Sequence, residues 1–218
     1  MADTVRVYHG SKHGLVGPVR PISRPCCDFG RGFYLGSEPT QPKTLICRMD
    51  QPKFYTCELD LTDLRVYRFD PTIEWAMFVA WNRGLVPDEY RSYYDRKFRL
   101  IADGHDVIVG KIANDRMVVV LDWFFGNFIS DIGLIEALRA LNLGDQYACV
   151  TQTACDHVKI VNEETLSRLE CERQRDRAKR QREHAIKAVD RIRLLHRKDG
   201  ESFFEIMARE TGVRLDAP

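Results

Sequence analysis

Near the start of the chain an alternating run, VRVYHG, ends on His9-Gly10 and is followed by Ser11. An imidazole at a strand end is a hydrogen-bonding group. The glycine beside it is bare backbone, able to grip a planar amide with one N–H and one C=O and no Cβ in the way. Farther on, Gly30-Arg31-Gly32-Phe33-Tyr34 lets the chain turn tightly into an edge strand that presents Tyr34. The face of that phenol ring suits a flat, cationic ring. Each stretch also has a plainer reading. The first is a strand-end histidine with a turn glycine, and the second is a β-turn with core aromatics.

The elements that must position these residues can be read from the pattern. Strands are expected over VRVYHG, GFYLG, KFYTCELDL (53–61), LRVYRF (64–69), DVIVG (106–110), QYACVT (146–151) and HVKIV (157–161). Residues 12–31, rich in proline and glycine, read as a loop. Glu38-Pro39 opens a short helix, and Asp70-Pro71 caps a longer one that stops near Gly84. Further helices are expected over 88–102, 117–127 and 131–141. The mixture lacks regular βαβ alternation, so an α+β fold is expected rather than a doubly wound sheet.

After Val161 the character changes. Asn162-Glu163-Glu164 reads as a helix start, and residues 163–197 hold no glycine or proline. Residues 173–198 carry eleven Lys/Arg against three Asp/Glu. With a net charge of +1 overall, that segment of +8 leaves −7 on the rest. Its cations read as spread around the helix. A stripe from Ile186 to Leu195 and a capping box at Ser202–Glu205 opening an apolar last helix ask for a docking surface. The division expected is therefore 1–162 as one domain and 163–218 as a helical extension, a long charged helix plus a short terminal helix, for contact with a partner or with nucleic acid.

The seven cysteines show neither a disulfide framework nor zinc-ligand spacing. Reduced thiols in a cytoplasm are expected. No membrane span or secretory signal is expected either, and no metal site.

Taken together, the His9 and Tyr34 stretches suit one ligand, a nicotinamide on a ribose. The chain resembles mono-ADP-ribosyltransferases of the diphtheria-toxin and PARP type, the His-Tyr-Glu class. YHGS (8–11) and GFY (32–34) match that class's first two motifs. The likeness is closer to a bacterial family catalogued as a domain of unknown function, which the chain matches in YHGS, DFGRGFY (28–34), VIVGKIANDR (107–116) and DQYACVTQ (145–152). The four motifs occur in order between residue 5 and about 162.

The resemblance implies a mixed, split β-sheet core and NAD as substrate. It implies that His9 bonds the adenosine-side ribose, Gly10 the carboxamide, and that Tyr34 stacks on the nicotinamide, with Ser11, Gly32 and Phe33 supporting the pocket. These roles need the imidazole, the phenol and residue 152 in one cleft. Asn114, Asp115 and Arg116 match a motif that fits either a turn or, at Arg116, a phosphate contact. A second aromatic, eleven positions after Tyr34 in the class, is here Leu45. The catalytic glutamate is here Gln152, which keeps the shape and a hydrogen bond but cannot act as a base or offset positive charge on the ribose.

The glutamine is either a Glu→Gln substitution or the natural residue of an impaired member. The implied activity is ADP-ribosyl transfer by a toxin or anti-phage effector. The alternative is a non-catalytic NAD-binding module that recruits a partner through its last helices. Val150 replaces the Glu or Gln that arginine-modifying relatives use, so the acceptor is expected to be another protein side chain, a nucleic acid or water. An antitoxin or chaperone, or self-association through 163–218, completes the expected partners.

Overall fold

A computed structural model describes residues 3–48, 52–111, 115–141, 144–196 and 199–213. The fold is α+β, built on a seven-stranded mixed sheet. The strands are β1 (Thr4–Ser11), β2 (Phe33–Gly36), β3 (Lys53–Asp60), β4 (Val66–Arg68), β5 (Val107–Lys111), β6 (Asp145–Cys149) and β7 (Val158–Thr165). Their order across the sheet is β4-β5-β6-β2-β1-β3-β7. Only the β4–β5 pair is parallel among these neighbours.

Strand alternation gives the sheet two apolar faces. One face carries Val7, Phe33, Leu35, Tyr55, Cys57, Val107, Val109 and Cys149, with Leu15 and Val19 of the 12–31 loop packed on it. The other carries Ile108 and Ala148 and is covered by helices. Those helices are α1 (Thr40–Ile46), α2 (Ile73–Asn82), α3 (Asp88–Gly104), α4 (Asp115–Phe125), α5 (Asp131–Leu141), α7 (Arg168–Leu195) and α8 (Phe203–Thr211); the short α6 (Gln152–Asp156) follows β6. Six consecutive residues of α2, Trp75 to Ala80, are fully buried, as befits a helix apolar on every side. On α3 the burial falls on Tyr90, Tyr94 and Phe98, one helical face at i, i+4 and i+8.

Three boundaries differ from the sequence reading. Asn162, Glu163 and Glu164 do not start a helix; they pair with Thr56, Tyr55 and Phe54 as an extension of β7. The edge of β3 needs a hydrogen-bonding partner there, and Lys53–Glu163 (2.9 Å) and Lys43–Glu164 (2.9 Å) ion pairs hold the two acids. The true cap of α7 is Ser167, whose hydroxyl accepts from Glu170 N. β6 stops at Cys149, so Thr151 and Gln152 leave the sheet for α6. The long helix before Gly84 is capped by Thr72, two residues after Asp70.

The last helix forms the expected capping box at Ser202–Glu205 and ends on a left-handed Gly212 (φ 72°). Phe203, Ile206, Met207 and, from α7, Val189 are buried in the same cluster as α2 and α3. Residues after 162 thus fill the core of the preceding domain. Among the described residues no helix is long and apolar enough to cross a membrane.

Candidate functional site

The junction of β1 and β2 is the unusual point in the sheet. The two strands pair at a single position, Tyr8 opposite Gly36. Continued, that antiparallel register would set His9 opposite Leu35 and Gly10 opposite Tyr34. The ladder stops instead, while β1 stays fully paired to β3 through Ser11. Across the gap the His9 imidazole is bonded through Nδ1 to the Tyr34 carbonyl oxygen at 2.8 Å. A carbonyl only accepts, so Nδ1 carries the proton. The neutral ring then presents Nε2 as an acceptor, and among the described residues Nε2 has no hydrogen-bond partner. Burial drives the His9 pKa below its ordinary value, which the bond to Tyr34 partly offsets.

The His9 ring stacks on Phe33, centroids 4.3 Å apart. Successive strand residues point to opposite faces, so Tyr34 lies on the helix-covered side. Its hydroxyl donates to Gly30 O (2.6 Å) and accepts from Phe29 N (3.0 Å). Burial pushes the phenol pKa up, so it remains a protonated donor. The expected single cleft lined by imidazole, phenol and residue 152 is therefore corrected: the alternation puts the first two rings on opposite faces of the sheet.

Gln152 belongs to the His9 side. Its side-chain amide donates to Val19 O in the 12–31 loop (2.9 Å) and to the Asp156 carboxylate one turn along α6 (2.8 Å). Thr151 fixes that helix start. Its hydroxyl accepts from Ala154 N (3.2 Å) and donates to Asp106 (3.1 Å). Asp106 is held well below the usual carboxylate range, chiefly by its bonds from Arg65.

The remaining expected residues fall as follows. A Cβ on Gly10 would stand 2.6 Å from Pro42 O and 2.8 Å from Ile46 Cγ2, so α1 occupies the space that glycine leaves on that side. Ser11 Oγ donates to Gly14 O (2.9 Å) and shapes the loop. Gly32 brings its backbone against Cys149 O, which a Cβ would meet at 3.0 Å. Leu45 is 60% exposed on α1, the helix packed against Gly10. Asn114 lies outside the described residues, and Arg116 falls in the first turn of α4.

Sequence reasoning missed a second polar cluster. Asp28 and Arg83 form a largely buried ion pair at 2.7 Å, and Gln146 lies beside the same carboxylate and helps to hold its pKa down. Burial raises the Asp28 pKa despite the guanidinium. Gly110 sits beside this cluster's loop: a Cβ there would lie 2.8 Å from Phe29 Cζ and from Trp75 Nε1. Asp28, Gly110 and Gln146 each come from a different recognised motif, so motif residues meet by packing and hydrogen bonding. Arg83, in an ordinary helix end, gave no signal. Among the described residues no group of three or more His, Cys, Asp or Glu side chains is placed to hold a metal ion.

With a match over residues 5–160, the chain belongs to the family described as "Protein of unknown function (DUF3990)". No curated protein and no solved structure matches it.

Proposed function

We propose that the opening between β1 and β2 is a dinucleotide site of the ADP-ribosyltransferase kind, with NAD as its substrate. The observation that carries this is the interrupted ladder: one strand pair, then a gap bridged by the His9 imidazole and flanked by Gly10 and Tyr34. Gly10 offers backbone to a carboxamide, and Tyr34 with the exposed Leu45 offers walls for a flat ring. His9 Nε2 accepts from a ribose hydroxyl.

Cleavage of the nicotinamide–ribose bond leaves positive charge on the sugar. Gln152 can fix a hydroxyl but supplies no negative charge, so this chain holds NAD and turns it over poorly. An effector that modifies a protein or nucleic-acid acceptor is the activity this implies for the Glu form. A second reading, a binding module without transfer, is favoured by the engagement of the Gln152 amide with Val19 and Asp156.

Calorimetric titration of NAD tests the reading. Affinity is expected for the unaltered chain and a loss of tenfold or more in His9→Ala and in Tyr34→Ala. Equal affinity in all three, or none in any, overturns it. NAD-dependent labelling of lysate by Gln152→Glu then separates transfer from binding alone.

A further inference from the structure

Cations lie round most of α7, and one set of basic residues lines up along it. Arg173, Arg177, Arg180, His184, Lys187 and Arg191 follow one another at steps of four, three, four, three and four, which places them on one face of the helix. All six are exposed. On the opposite side Cys171 and Val189 are buried against the body. The acids Glu172, Asp176, Glu183 and Asp190 form a separate neighbouring row, and two of them are engaged: Glu172 by Arg168 (3.1 Å) and Asp190 by Arg193 (3.8 Å). Among the described residues none of the six forms an ion pair. Arg175, Lys179 and Arg193 are exposed on other sides of the helix, so the row is one part of a wider spread of cations.

We propose that this row is a docking surface for the phosphate backbone of duplex nucleic acid, read without regard to sequence. It stands independently of the dinucleotide site. Charge complementarity identifies the occupant. At about 1.5 Å rise per residue the row runs about 27 Å, and a duplex strand carries one phosphate per about 3.4 Å of axis. A straight row of this length therefore faces on the order of eight phosphates of one strand. Four of the six are arginines, whose planar guanidinium forks suit phosphate oxygens. Between Arg173 and Arg191 the row contains no apolar residue; the exposed Leu169 and Leu195 stand only at its two ends, too far apart to make the continuous seam a partner helix would need. It contains no aromatic ring either, so it lacks the stacking platform that single strands use.

Fluorescence anisotropy with 20-base-pair RNA and DNA duplexes of arbitrary sequence, between 50 and 200 mM salt, decides the matter. The full chain is expected to bind at least one of them, with log affinity falling against log salt at a slope of about −4. The triple charge reversal Arg173→Glu, Arg180→Glu, Lys187→Glu is expected to weaken binding at least tenfold and to flatten the slope by about 2 to 3. A matched reversal on α3, Arg91→Glu, Arg96→Glu, Arg99→Glu, is expected to change affinity less than twofold. Circular dichroism confirms that both variants are folded. Absence of saturable binding at the lowest salt overturns the proposal, as does an equal loss from both triples. Row-dependent capture by phosphatidylserine vesicles without duplex binding overturns it too.

Discussion

The His9 imidazole and the Tyr34 carbonyl are 2.8 Å apart, yet the two side chains leave the sheet on opposite faces. One hydrogen bond therefore does what the missing strand ladder would do, and fixes the histidine tautomer as well. The groups packed against the ring, Phe33 and Tyr55, carry no charge. Its folded pKa lies below the ordinary 6.5 because of burial. The unfolded chain then binds the proton first, so stability falls as pH drops through the ordinary value toward the folded one. Urea denaturation from pH 7.5 to 5 is expected to show this loss, and His9→Asn is expected to flatten it.

On the proposed reading, Gln152→Glu supplies a carboxylate where the ribose develops charge. NAD cleavage or transfer is expected to rise on the order of 10²–10³-fold. The new acid stands one helical turn from Asp156, whose carboxylate now accepts from the Gln152 amide (2.8 Å). Two carboxylates that close raise each other's pKa. The pH–rate profile of Gln152→Glu is thus expected to shift to lower pH when Asp156→Asn is added.

The Asp28–Arg83 pair is shielded, with side chains 15% and 19% exposed. Arg83→Met leaves the carboxylate without its cation and is expected to cost about 3 kcal/mol in urea unfolding. Asp28→Asn combined with Arg83→Met is expected to cost less than the sum of the two single changes, because neither variant group then needs a counter-charge.

Gly10 and Tyr34 separate packing from binding. Gly10→Ala drives a Cβ into Pro42 and Ile46 of α1 and is expected to lower stability by about 1–3 kcal/mol. Tyr34→Phe keeps the ring face and loses the bonds to Phe29 and Gly30. It is expected to cost about 1–2 kcal/mol while NAD affinity changes little. A large affinity loss in Tyr34→Phe with unchanged stability would count against the stacking role.

Much of the fold was legible because its signals are local. The alternation of Val5 and Val7, the i, i+4, i+8 spacing on α3 and the Ser202–Glu205 box each name their element unaided. What was not legible depends on partners far along the chain. Asn162-Glu163-Glu164 looks like a helix cap until β3 is beside it, and nothing local says that Lys43 and Lys53 wait for those acids. The site divides the same way. His9 and Tyr34 stood out by residue type, but their opposite faces follow from parity across two strands, and Arg83 reaches Asp28 only once α2 has packed.

β7 passes without a break from the edge of the sheet toward α7, which crosses α1 and lodges Val189 against α4 and α5 before α8 seals the far end with Phe203. A fragment trimmed to the family-matched residues would strip Phe124 and Phe125 of the Phe203 ring packed on them, losing the plug that keeps them dry. Expression of that shortened piece should yield a sticky, misassembled protein, so enzymology and partner work alike call for the intact chain.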